Sequence, residues 1–137
     1  MTRLLKPSVI AIVAVVAVAA SASAATTRGY NGRWPVTVTR SARSNGQYCL
    51  TLTGTSRHAG SASLTGPNGL NLPFGTFQVV NRTLVATIQQ QGYSQNAGLV
   101  FIASASGGNI GQGAFDQVYG GEAFDFGALS FGMRNGC

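Results

Sequence analysis

Residues that let a backbone reverse direction recur along this chain at intervals too short for helices. Asn31-Gly32, Asn45-Gly46, Pro67-Asn68-Gly69, Gly107-Gly108-Asn109, Gly120-Gly121 and Asn135-Gly136 punctuate it. Gly and Asn tolerate the positive φ of a tight turn, and Asn-Gly is the strongest short hairpin signal. Helix formers are scarce in the same stretch. Lys6 is the sole Lys, Glu122 is the sole Glu, and 19 of the 137 residues are Gly. No sustained helical period follows the first two dozen residues.

Between the turn signals lie short runs with a period of two. Val36 and Val38 alternate with Thr37 and Thr39; Tyr48, Leu50 and Leu52 alternate with Cys49, Thr51 and Thr53. Ala62 and Leu64, then Phe77 and Val79, then Leu84, Ala86 and Ile88 continue the pattern. Such alternation puts one face in a core and the other in water. Two later segments differ. Leu99-Val100-Phe101-Ile102-Ala103 is apolar on both faces, and Phe124-Asp125-Phe126 leads into Leu129, Phe131 and Met133. A strand apolar on both sides calls for cover on both sides, from an oligomer partner or a loop folded over the sheet.

About eight strands at roughly 8–12-residue spacing predict an all-β fold. Short connections favour antiparallel neighbours in chain order. The expectation is an up-and-down meander closing into a small barrel, with a β-sandwich as the alternative. Closure removes sheet edges that a chain poor in Lys cannot protect by charge.

The amino terminus reads as an export signal over residues 1–24, leaving one domain over 25–137. Arg3 and Lys6 supply a basic start, Val9 to Ala20 an uncharged apolar run, and Ala22-Ser23-Ala24 a small-x-small cleavage site. The apolar run is shorter than the ~20 residues a bilayer requires, so no membrane span is expected after cleavage. The expected location is periplasmic or extracellular. The remaining chain carries seven Arg against three acids, a net charge of +4. Its bases are sparse and not interleaved with aromatics, which together with export argues against a nucleic-acid partner.

Two cysteines in an exported chain usually pair. A Cys49–Cys137 bridge closes a loop of 89 residues. The chain-entropy model assigns such a loop roughly 4.6 kcal/mol. A thiol nucleophile would need a partner base and a zinc site three or four ligands, and two distant Cys with one His supply neither.

Gly32-Arg33-Trp34 stands at the start of the first expected strand. A G-x-W there, leading into an eight-strand meander, resembles the calycin group of lipocalins and avidins. The resemblance implies that Trp34 plugs one end of the barrel. Lipocalins are longer and carry a carboxy-terminal helix that is missing here. Avidins hold their ligand with several Trp where this chain has one, so biotin binding does not carry over. Small periplasmic barrels that inhibit proteases or lysozymes are similar in size, export and disulfide. Ser104-Ala105-Ser106-Gly107 is similar to the Ser/Gly-rich loop of one lysozyme-inhibitor group.

Catalytic signatures are weak. His58 lies in a turn-like stretch, and no G-x-S-x-G elbow is present. Asp116, Glu122 and Asp125 fall around Gly120-Gly121, where a polar hairpin explains them more simply than paired catalytic carboxylates or a cation site. Their expected partners are turn amides or an Arg such as Arg134. No cofactor or metal site is expected. The distinctive loop is Gln89 to Asn96, uncharged and amide-rich. Gln90, Gln91, Tyr93, Gln95 and Asn96 form a candidate contact surface, where Tyr stacks and amides hydrogen-bond. The chain therefore reads as an exported, non-enzymatic barrel that binds a small apolar ligand or a secreted protein. An inhibitor of a secreted hydrolase and a self-associating envelope protein, a homo-oligomer, are the alternatives.

Overall fold

The computed structural model describes residues 29–40, 45–90, 97–119 and 122–137. The expected leader, 1–24, lies outside them. The strands are β1 (Gly32–Arg40), β2 (Gly46–Gly54), β3 (Ala59–Thr65), β4 (Asn71–Leu72), β5 (Gly75–Val80), β6 (Thr83–Gln89), β7 (Gly98–Ser106), β8 (Asn109–Tyr119) and β9 (Glu122–Phe131). Each long strand pairs antiparallel with its neighbours in the chain, and β1 also pairs with β9. The result is one closed eight-stranded meander with β4 as a short extra strand. A single continuous sheet excludes the sandwich.

β4 and β5 both pair with β3, but their registers differ by one residue across Pro73-Phe74. A proline removes a ladder donor and suits such a bulge. The bulge resets the alternation, so Leu72 and Phe77 both point inward while Phe74 is exposed.

The interior is layered. On β6 to β9 one rung holds Leu84, Ala103, Gly113 and Leu129, and the next Ala86, Phe101, Phe115 and Gly127. A Cβ at Gly113 would run into the Ile102 carbonyl, and one at Gly127 into that of Thr39. The two glycines therefore sit where neighbouring backbones close in on a tightly coiled wall. Trp34, Val36, Leu50, Leu52, Leu64 and Ile88 belong to the same core.

Val80↔Thr83 and Ser106↔Asn109 frame two-residue hairpins. Their central residues, Asn81 and Arg82 in one and Gly107 and Gly108 in the other, all have positive φ. That matches the twist of the flanking strands. The Asn-Gly pairs do other work. Asn31-Gly32 enters β1, with the Asn31 side chain accepting from the Gly54 amide. Asn135-Gly136 folds the segment after β9, where the Gly136 amide donates to the Met133 carbonyl. Among the Asn-Gly pairs whose turn is described, only Asn68-Gly69 sits at the centre of one: both residues have positive φ and Leu70 N–H bonds the Pro67 carbonyl at 3.3 Å.

The double-sided apolar strand is covered on one side. Leu99, Phe101 and Ala103 face the core, whereas Ile102 is 45% exposed. Its cross-strand partner Val85 is 39% exposed. The two β-branched side chains shield each other on the outer wall, which lowers the need for a separate cover.

Candidate ligand-binding site

The two ends of the barrel are built differently. At the end where β1 begins, Trp34 is 2% exposed and its indole N–H donates to the Tyr30 carbonyl at 3.0 Å. The Arg134 guanidinium lies 5.1 Å from the Trp34 ring centroid. One of its nitrogens donates to the carbonyls of Gly29 and Gly108. A cation over an indole face is favourable, and here the same cation holds the entering segment and a hairpin. The segment after β9 then runs outside β1, with Gly132 and Asn135 donating to the Pro35 and Arg33 carbonyls. It ends in the Cys49–Cys137 disulfide, with Cα atoms 6.1 Å apart. Cys49 faces outward on β2 yet is buried, because this tail covers it.

The opposite end opens into a cavity of about 260 Å³. Its wall is apolar: Val38, Leu64, Leu72, Leu99, Phe101 and Phe115. The turn after β3 contributes Pro67, Asn68 and Leu70, and Tyr48 flanks it from β2. Two further carboxamides beside Asn68, those of Gln90 and Gln117, complete the lining. A cavity of this size lies just under the ~300–1,000 Å³ typical of small-molecule sites.

The polarity is set by one rung. Ile88, Leu99, Gln117 and Asp125 are successive cross-strand partners on β6, β7, β8 and β9. This interior layer therefore changes from apolar to polar as it crosses the wall. The Gln117 amide nitrogen donates to Gln90 Oε1 at 3.2 Å. Its own Oε1 is buried and has no hydrogen-bond partner. A buried carbonyl left so costs about 1–3 kcal/mol. Asp125 is 3% exposed, and its Oδ1 accepts from the Phe126 amide at 2.9 Å.

Of the expected contact residues, Gln90 lines the cavity, whereas Gln91, Tyr93, Gln95 and Asn96 lie outside the described residues. The Gln90 amide bonds the Ala97 carbonyl across the base of that loop at 3.2 Å. Asp116 stands on the outer face, opposite Val100 and Phe126. Asp125 corrects the polar-hairpin expectation: strand alternation turns it inward and leaves Phe126 61% exposed. Arg134 meets neither acid, since it is committed to carbonyls at the far end. His58 is exposed beside the closed end, its carbonyl accepting from the Val79 amide at 2.7 Å. Ser104 to Gly107 form the end of β7 and a hairpin at that same end. Among the described residues no group of three or more His, Cys, Asp or Glu is positioned to hold a metal ion. No helix there is long and apolar enough to cross a membrane.

No protein-family model, curated protein or solved structure matches this chain. The closed eight-stranded antiparallel barrel is calycin-like in general form.

Proposed function

We propose that this protein is an exported, calycin-like carrier that binds a small, largely apolar ligand in the open end of its barrel. The observation behind this reading is the cavity lined by six apolar core residues and edged by three carboxamides, Asn68, Gln90 and Gln117. An apolar pocket with a few convergent polar groups is the usual build of a small-molecule site. Export is supported by the leader-like residues 1–24 and by the Cys49–Cys137 disulfide, a bond that persists in oxidising compartments. The reading assigns no chemical step. His58 lies at the opposite end from the cavity, and Asp116 is on the outer wall.

The test is ligand-observed NMR with a panel of one-ring and short-chain apolar compounds. Wild-type protein should bind members of the panel, and Leu70→Trp, which fills the entrance, should not. Far-UV circular dichroism checks that the variant keeps its strands. Equal binding by both proteins, or by neither, would sink the proposal.

A further inference from the structure

We propose that the closed end of the barrel docks on an anionic phospholipid surface. This end lies opposite the cavity, and its docking does not depend on what the cavity holds.

Charge is divided between the two ends. The chain's three acids stand towards the open one: Asp116 in the second half of β8, Glu122 at the start of β9 and Asp125 further along it. Arg40, the last residue of β1, stands with them. At the closed end, Arg33 lies at the start of β1, Arg57 in the connection from β2 to β3, and Arg82 at the tip of the β5–β6 hairpin. All three are exposed, as is His58 beside Arg57. Arg134 stands over Trp34 at the same end. The terminal carboxylate is held away from it, because Cys137 is bonded to Cys49 in the middle of β2. The closed end therefore presents cations with no acidic side chain among them, and a negative surface meets it with complementary charge. Exposed apolar side chains share this end. Val80, next to the hairpin that carries Arg82, is 52% exposed, and Met133, next to Arg134, is 84% exposed. A hydrated polyanion, nucleic acid or polysaccharide, offers such groups nothing. A lipid interface takes both kinds: its phosphates pair with guanidinium forks, and apolar side chains enter the acyl boundary. Docking by this end leaves the cavity mouth facing away from the lipid.

Co-sedimentation with vesicles tests this. Vesicles of equal parts phosphatidylglycerol and phosphatidylcholine should bind the protein about a hundredfold more tightly than phosphatidylcholine alone, three arginines at about fivefold each. Salt at about 1 M, where the screening length is about 3 Å, should remove most of that difference. Arg82→Asn, a residue that tolerates positive φ, should weaken binding to the mixed vesicles about fivefold. Adding Arg33→Gln and Arg57→Gln should bring the loss to about a hundredfold. Met133→Ser should weaken vesicle binding about fourfold, the equivalent of one buried methylene, and leave binding to heparin unchanged. Asp116→Asn raises the net charge by one towards the other end. It should change vesicle binding by less than about twofold at physiological salt, where charges beyond about 8 Å are screened. Circular dichroism checks that each variant keeps its strands, and all the substituted side chains are exposed. Equal binding to the two kinds of vesicle, or binding to neither, would overturn the proposal. So would a gain from Asp116→Asn as large as the loss from Arg82→Asn, since net charge alone would then suffice. Vesicle binding indifferent to Met133→Ser would also overturn it, marking this end as a site for a soluble polyanion.

Discussion

The closed and open ends of this barrel share the same strands and differ in what the sequence asks of them. At the closed end no buried side-chain polar atom among the described residues lacks a partner. The Trp34 indole, the Arg134 guanidinium and the amides of Gly132, Asn135 and Gly136 each find a backbone carbonyl, and two of the connections are two-residue turns. At the open end the wall residues stop short of filling the interior, and a buried amide oxygen is left over. The first arrangement is what a chain does to hold itself together. The second lowers stability, and it makes physical sense where something else is to be held.

That contrast can be broken by substitution. Trp34→Ala removes the largest side chain of the closed end and its stacking partner for Arg134. It should cost about 3–5 kcal/mol in urea denaturation, the usual loss for a large core aromatic. A loss below about 1 kcal/mol would mean that the plug carries little of the fold. Reducing the disulfide, or replacing both cysteines by Ser, should cost about 2–4 kcal/mol. The matching observation in mass spectrometry is a gain of two hydrogens on reduction, and free thiols in the untreated protein would contradict it.

The open end should respond in the other sense. Gln117→Met exchanges an incompletely bonded amide for an apolar chain of similar length. It should leave stability unchanged or raise it by up to about 1 kcal/mol, measured by the same denaturation. A loss above about 2 kcal/mol would make Gln117 a structural residue and erase the distinction between the ends. The smallest effects belong to the outer wall. Ile102→Thr and His58→Ala should each shift stability by less than about 0.5 kcal/mol. Size-exclusion mass should be that of a single chain. A larger assembly that Ile102→Glu dissolves would add the outer face to the working surfaces.

The closed end was more legible in the sequence than the open one, for physical reasons. Alternation in β1, β2, β3 and β6 is unbroken, so their inward residues could be read directly. The Gly-x-Trp at Gly32-Arg33-Trp34 marked the end that carries Trp34. Asn81-Arg82 carries no strong turn signal because Arg rarely adopts positive φ, and here two well-paired strands impose it. The cavity wall was harder. In β8 the register shifts near Ser104, so Ile110 and Phe115 face the core from positions of opposite parity. A bulge erases the period that would have marked Gln117 as an inward polar residue. Phe124-Asp125-Phe126 misled for a related reason. Neighbouring aromatics suggest burial, but alternation fixes Asp125 inside and Phe126 outside.

The pairing of β1 with β9 also governs how the protein comes to be folded. These strands are the first and last of the meander, so the contact that closes the sheet has nearly the greatest sequence separation the chain offers. A growing or emerging polypeptide that lacks β9 carries two unpaired edges, on β1 and β8. Both are templates for a wrong partner until the last strand arrives. Topologies dominated by such distant pairings fold slowly, because loop closure is costly before any contact rewards it. The interval between emergence of β8 and docking of β9 is therefore the moment of greatest exposure to aggregation and proteolysis. Once β9 seats between its neighbours, both edges vanish in a single step.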